Sequence, residues 1–383
     1  MIYLDAAATA GYKTVDSVIV ETISDAMKEF WQNPSSLYAN HVRDKINSCR
    51  ENIAKFIGAK PNEIIFTSGA SESNNMAIRG WTDYQTMNSL YSPTIITTPI
   101  EHKSIMEAVK NTALDACVYY CDVDKYGVVD YESIRYWLDL LEYKPALVSI
   151  GIANNEIGTI QMIRELSDFV HKHNCTLHVD ATQILPYIPI DVETLGIDMM
   201  SASGHKISPV LKGIGFLYKK ESVNIKPIIY GSQENGLRGG TENTFGIIGF
   251  SKAIEYCDTS CEKYIEICGK RDYFINLLES KFGCKLNGHK NYRLPNNINV
   301  TFPQNITGES LLYTLDMSGI KISTGSACNS KSIEPSHVLK AIGLTDDEAV
   351  RTVRFSLPND ITYEEINCVI KEIEKAIKLI EIN

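Results

Sequence analysis

Seven short runs rich in β-branched and apolar residues, each set off by segments of helical spacing, constrain this chain more than any other feature. The runs are EIIFT (63–67), TIITT (94–98), ACVYYCDV (116–123), ALVSIGIA (146–153), TLHVDA (176–181), DMMSAS (198–203) and GIGFLYK (213–219). Between them lie segments such as SIMEAVKNT and IRELSDFVHKH, in which apolar residues recur three or four positions apart. That alternation predicts an α/β fold on a largely parallel sheet. After about residue 250 the rhythm changes to one long helical stretch, SKAIEYCDTSCEKYIEICGKRDYFINLLESKF (251–282), followed by shorter strands and helices. The change predicts a second, smaller domain packed on the first.

Size and charge narrow the function. At 383 residues the chain exceeds the usual single domain, and its net charge of -10 argues against a general attraction to nucleic acid or anionic membranes. The opening MIYLDAAATAG carries Asp5 and does not read as a signal peptide. Apolar runs such as 145–153 fall short of the roughly 20 residues a membrane helix needs, so a cytoplasmic protein is expected. Ten cysteines are too few for a disulfide scaffold. The pairs Cys117/Cys121 and Cys257/Cys261 have no second pair at zinc spacing, so no metal is expected. Cys257, Cys261 and Cys268 recur at helical spacing and read as small buried side chains.

Ligands of open α/β sheets bind beyond the carboxyl ends of the strands. SGASESNN (68–75) follows one such end as a small-residue turn opening a helix, fit either to hold a phosphate or merely to cap the helix. TLHVDATQ ends an apolar strand with Asp180, which needs a partner or water; it reads as a cap, a salt bridge or a ligand contact. SASGHK sets Lys206 past another strand, where the ordinary reading is a surface lysine. Taken together, a phosphate turn, a strand-end acid and a strand-end lysine are the contacts pyridoxal 5'-phosphate requires. Separately, STGSACNSK (323–331) places Cys328 in a run of small, turn-forming residues, predicting a thiol on a loop.

With these blocks in view, the chain resembles the cysteine desulfurases of the class V aminotransferase group. The resemblance runs through YLDAAATA (3–10), NPSS (33–36), FTSGASESNN (66–75), EHKSI (101–105), NNEIGTIQ (154–161), HVDATQ (178–183), SGHK (203–206), QENGLRGGTEN (233–243), STGSACNSKSIEPSHVLKAIG (323–343) and VRFSL (353–357). It implies the fold type I architecture of pyridoxal-phosphate transferases. A large domain (16–255) would hold a mainly parallel seven-stranded sheet, and a smaller α+β domain (1–15 and 256–383) would carry the catalytic-cysteine loop.

By the same resemblance Lys206 would hold the cofactor covalently, Asp180 would pair with its ring nitrogen and Gln183 with its phenolic oxygen. His102 would stack on the ring and help move protons, assisting ionisation of Cys328. The phosphate would sit among Ala70, Ser71, Ser203 and His205, with Thr241 reaching in from the second subunit of a homodimer. Arg354 and Asn155 would take the carboxylate of L-cysteine. Sulfur would rest on Cys328 as a persulfide before passing to an acceptor, either an iron-sulfur scaffold or a thiolation enzyme for tRNA or a cofactor. The long segment between Cys328 and Arg354 resembles the long-loop branch that delivers sulfur directly to proteins. An aminotransferase or lyase acting on another amino acid, with Cys328 idle, is the alternative.

His41, His171, His173 and His289 read as structural, and His178, two before Asp180, as a core residue on the same strand face. The chain departs from the family pattern in the loop HKISPVLKGIG after Lys206, at Tyr38, in a glycine run shortened to YGS, and in a short C-terminus.

Overall fold

The computed structural model describes residues 1–11, 14–112, 114–141, 144–303, 305–324 and 335–382. A two-residue strand, β1 (Ile2–Tyr3), precedes β2 (Ile64–Thr67), β3 (Thr94–Thr97), β4 (Cys117–Tyr120), β5 (Ala146–Gly151), β6 (Thr176–Asp180), β7 (Met199–Ser203) and β8 (Gly215–Lys219). These last seven form one sheet in the order β2-β8-β7-β6-β5-β3-β4. Only β8 runs against its neighbours. All seven runs read from the sequence are strands, and the sheet is mainly parallel as expected. The reason is burial on both faces: β2, β3 and β7 have no exposed residue, which is what continuous apolar runs require. β4 is the exception, an edge strand whose Cys117 and Tyr120 are exposed.

A second sheet follows, made of β9 (Lys285–Leu286), β10 (Asn297–Thr301), β12 (Ser323–Thr324) and β13 (Thr352–Ser356), while β11 (Ile320–Lys321) pairs with β1. It is antiparallel throughout. Its core, including Phe274, Phe355 and Leu315, is distinct from the clusters on the two faces of the seven-stranded sheet, and it takes in Leu4 from the first strand's end.

The single long helix expected over 251–282 is instead two, Thr244–Glu255 and Cys261–Phe282. The break has a local cause: Asp258 accepts from the Ser260 amide, and Ser260 caps the second helix by accepting from the Lys263 amide. The shared periodicity of the cysteines is thereby interrupted. Cys261 is exposed rather than buried, and Cys257 and Cys268 are half-buried. Among the described residues no helix is long and apolar enough to cross a membrane.

The loop after Lys206, where the sequence departs from the family pattern, is tied to the first helix. Ser208 donates to Asp16, and both side chains are buried.

Candidate active site

The carboxyl ends of β2, β5, β6 and β7 surround a cavity of about 310 Å3. Ala70, Ser71, His102 and Asn155 line it, as do Asp180, Gln183, Ser203, His205 and Lys206. Nine residues far apart in the sequence are thus brought together by strand order alone. Two of the expected set do not line it, and the placement of a third is not described. Thr241 is exposed and does not line the cavity. Arg354 sits at its margin, on β13. Cys328 lies outside the described residues.

One end of the cavity suits an anion. Gly69 has φ +146°, a conformation open to glycine, and turns the chain from β2 into the helix that begins at Ala70. The first intrahelical bond runs from the Ser73 amide to the Gly69 carbonyl, so the amides of Ala70, Ser71 and Glu72 stand ahead of the ladder. Ser203 Oγ is 2.9 Å from His205 Nδ1, and a Cβ built on Gly69 would stand 3.3 Å from that hydroxyl. Glu72 braces the turn from outside, accepting from the Ser68 amide at 2.7 Å and from Arg238. Burial would raise its pKa, but these donors hold it below the usual carboxylate value. His205 is pushed down to about 4 by burial and by Lys206, Lys212 and His102, so its ring stays neutral beside an anion.

At the other end, Asp180 closes β6 with both oxygens engaged, Oδ1 by the Thr182 amide at 2.9 Å and Oδ2 by Asn74 Nδ2 at 2.8 Å. Lys206 leaves β7 through a 3-10 turn and donates to the carbonyls of Ala7 at 2.6 Å and Ala8 at 2.9 Å. Burial, then Arg354, brings its pKa down to about 8, against the pull of Asp180 and Asp5. A lysine so tuned is a usable amine near neutral pH. Gln183 Nε2 donates to the same Ala7 carbonyl at 3.0 Å.

Arg354 is 8% exposed and donates to Asp5 at 2.7 Å and to the Asn155 carbonyl at 3.1 Å. Its Nε has no hydrogen-bond partner among the described residues, a buried donor left for an incoming acceptor. His178 is fully buried between Ser149 and Ser201, as read from the strand face. His171 and His173 pair with Asp198 and Asp139, His41 contacts Gln32, and His289 accepts from backbone amides.

Sequence reasoning missed two members of the site. Asp5 anchors Arg354, and the residues after it lay their carbonyls across Lys206. The only trace of this was the YLDAAATA block. Glu101 is buried, accepting from the Thr98 hydroxyl at 2.6 Å and the Gly151 amide at 2.7 Å, and burial raises its pKa to about 7. Its signal was the EHKSI block.

The model of the aminotransferase class V family matches residues 2–369. The chain belongs to that family. Within it, the chain is 42% identical to a cysteine desulfurase IscS of Dictyoglomus turgidum, over 98% of this chain and 94% of that protein. Among solved structures it resembles a NifS-like protein with TM-score 0.88 and 33% identity, each chain covered to 99%. It also resembles SspA in complex with cysteine, with TM-score 0.79 and 33% identity over 94% of this chain and 99% of that one. The fold is therefore that of the NifS-like pyridoxal-phosphate enzymes, and the cofactor is pyridoxal phosphate. The residues present fit it: amides ahead of a helix, a fixed carboxylate and a lysine whose pKa is lowered to about 8 line one cavity.

Proposed function

We propose that the protein is a cysteine desulfurase that takes sulfur from L-cysteine, leaves alanine, holds the sulfur as a persulfide on Cys328 and hands it to an acceptor protein. One observation carries the reading: the described residues on either side of the segment that contains Cys328 bond to residues at or next to the cavity lining. That segment departs from β12, where Ser323 pairs with Arg354. It returns at Ser336, whose hydroxyl donates to Glu156, and His337, whose Nε2 lies 2.9 Å from the Glu101 carbonyl oxygen. None of the nine described cysteines lines the cavity. Burial raises the thiol pKa of Cys121 and Cys284 to about 12 and of Cys175 to about 11, which suits packing rather than nucleophilic work.

In this reading Lys206 would hold pyridoxal phosphate, Asp180 would pair with its ring nitrogen and Gln183 with its phenolic oxygen, and His102 would contact its ring. Ala70, Ser71, Ser203 and His205 would hold the phosphate. When bound, the cofactor supplies an electron-withdrawing ring that loosens bonds around the substrate's α-carbon. Arg354 and Asn155 orient the substrate carboxylate, the guanidinium through an Nε–H that no other described residue engages. Lys206, with its lowered pKa, takes and returns the α-proton. The Cys328 thiolate then attacks the substrate sulfur: the S–S bond of the persulfide forms as the substrate's Cβ–S bond breaks, and the electron pair left on that carbon is protonated, giving alanine. Thr241, exposed and away from its own cavity, completes the phosphate site of a second copy, which makes the enzyme a homodimer. The acceptor is a scaffold for iron-sulfur clusters or a thiolation enzyme, in the cytoplasm. The domain division at residues 16–255 against 1–15 and 256–383 belongs to the same proposal.

The test compares wild type with Cys328→Ala, following alanine and sulfide from L-cysteine under reductant together with the visible absorbance of the cofactor. The expected variant keeps the chromophore and its change on adding cysteine but releases neither product. If it turns over cysteine as wild type does, Cys328 is idle and the enzyme is an aminotransferase or lyase acting on other amino acids.

A further inference from the structure

His102 stands just before the helix Lys103–Thr112, and what holds its ring is unusually complete. The Ser104 backbone amide donates to His102 Nδ1 at 3.1 Å, and the Ser104 hydroxyl is 2.8 Å from the same nitrogen. A backbone amide always carries its hydrogen, so Nδ1 must present a lone pair to it. The hydroxyl agrees. Ser104 Oγ receives a hydrogen from Asn74 Nδ2 at 2.8 Å, which leaves its own hydrogen for Nδ1. The other hydrogen of Asn74 Nδ2 goes to Asp180 Oδ2 at 2.8 Å. Asn74 is fully buried, and its Oδ1 has no hydrogen-bond partner among the described residues. Turning the amide over would set that oxygen against the Asp180 carboxylate, so the orientation is determined by charge.

We propose that Asn74 and Ser104 are positioning residues that lock His102 in the neutral tautomer with its hydrogen on Nε2, making it a hydrogen-bond donor in the cavity rather than a base. The proposal deepens the desulfurase reading and rests on it for the identity of what receives the hydrogen. It changes the expectation drawn from the family resemblance, in which His102 assists ionisation of the thiol. A neutral ring whose only lone pair is held by two donors can take that proton only by losing the backbone amide contact and reversing the hydroxyl's. The charged groups around the ring do not reverse this. Burial disfavours the imidazolium most; Lys206 and His337 add to that, while Asp180 and Glu156 oppose it, and the net shift is downward. Part of Asp180's influence is already spent on Asn74 and the Thr182 amide.

The same three side chains tie the site together. A proton arriving at His102 would loosen Ser104, hence Asn74, hence one of the two contacts that fix Asp180.

The experiment is nitrogen NMR of histidine-labelled protein without cofactor, with His102 assigned by its loss in His102→Gln. Expected in wild type is a single neutral form with Nδ1 unprotonated, titrating below the ordinary histidine value. Ser104→Ala removes one of the two donors to Nδ1, and the midpoint should rise by about one pH unit. Ser104→Thr, which restores a hydroxyl, should return it. Asn74→Ala should shift it in the same direction as Ser104→Ala, and since Asn74 is buried the Ser104 pair decides if that variant does not fold. A hydrogen on Nδ1 in wild type would overturn the proposal, as would a Ser104→Ala midpoint equal to that of wild type. Because neither cofactor nor cysteine is present, the outcome is independent of the Cys328 assay.

Discussion

Lys206 and Arg354 act on each other without touching. The lysine's folded pKa of about 8 lies below its ordinary 10.5, and after burial the largest contribution is the Arg354 guanidinium. The sign of the stability effect follows. Below pH 8 the ammonium is charged in both states and its burial cost is fully present. Between about 8 and 10.5 the unfolded chain binds more protons, so stability rises with pH across that window. For reactivity, the rate at which cofactor-free protein captures pyridoxal phosphate should climb through a midpoint near pH 8. In Arg354→Met that midpoint should move up, since a cation opposing the ammonium is gone; a midpoint unmoved by the substitution would show the guanidinium to be electrostatically silent here. The residues that were legible in the sequence, Asp180 and Lys206, are those whose position at a strand end carries the meaning. Asp5 was not, because its partner Arg354 is 349 positions away and nothing local marks the pair. Ser104 and Asn74 were hidden for the same reason: each is an ordinary polar residue until the fold sets them side by side.

At the level of elements, the phosphate turn depends on how closely β7 and β8 approach it. A Cβ on Gly215 would meet the Ala202 carbonyl oxygen at 2.4 Å and Gly69 Cα at 2.6 Å, backbone on both sides in the middle of a sheet. A Cβ on Gly69 would meet only the Ser203 hydroxyl, but at a φ of +146° that L residues avoid. The two alanine substitutions should therefore separate. Gly215→Ala is expected to lose about 3 kcal/mol or more of stability, from overpacking with no room to yield. Gly69→Ala should lose about 1–2 kcal/mol from backbone strain. Its larger effect should be on cofactor retention, if the strained turn is the anion site proposed above. Melting temperature and equilibrium dialysis of pyridoxal phosphate, measured on both, would show the two effects crossing over; parallel losses would refute the assignment. The strands around this turn were readable because burial on both faces demands unbroken apolar runs. The helix break at residues 256–260 was not, because periodicity on either side continues through it and only the Asp258 and Ser260 side chains, bonded to nearby amides, stop the helix.

At the scale of the whole molecule, the alternation of runs conveyed the parallel sheet, and its change after residue 250 a second domain, but not what joins them. Arg293 is one such link, and its sequence context, NYRLPNN, marks only a turn. The side chain is fully buried, and its guanidinium meets carbonyl oxygens alone: Ile157 at 3.0 Å on the side of the seven-stranded sheet, then His289 and Asn297 at 3.2 Å and Asn287 at 3.3 Å leading into β10. Burial, then the nearby Arg271, lowers its pKa to about 9. An arginine kept at that cost is explained by geometry: only a planar fork with several donors can satisfy carbonyls arriving from two directions. Arg293→Met would leave those oxygens buried and unpaired, a loss on the order of 3 kcal/mol after the relief of removing a buried charge. Arg293→Lys should fall between, since an ammonium has fewer donors and cannot span the same set. Urea unfolding of the cofactor-free protein followed separately at Trp81, which packs beneath the seven-stranded sheet, and by far-ultraviolet circular dichroism distinguishes the possibilities. If Arg293 joins the two sheets, the two signals coincide in wild type and part in Arg293→Met. If they stay coincident at an unchanged midpoint, the carbonyls find other donors and the sheets are held together by their apolar contacts.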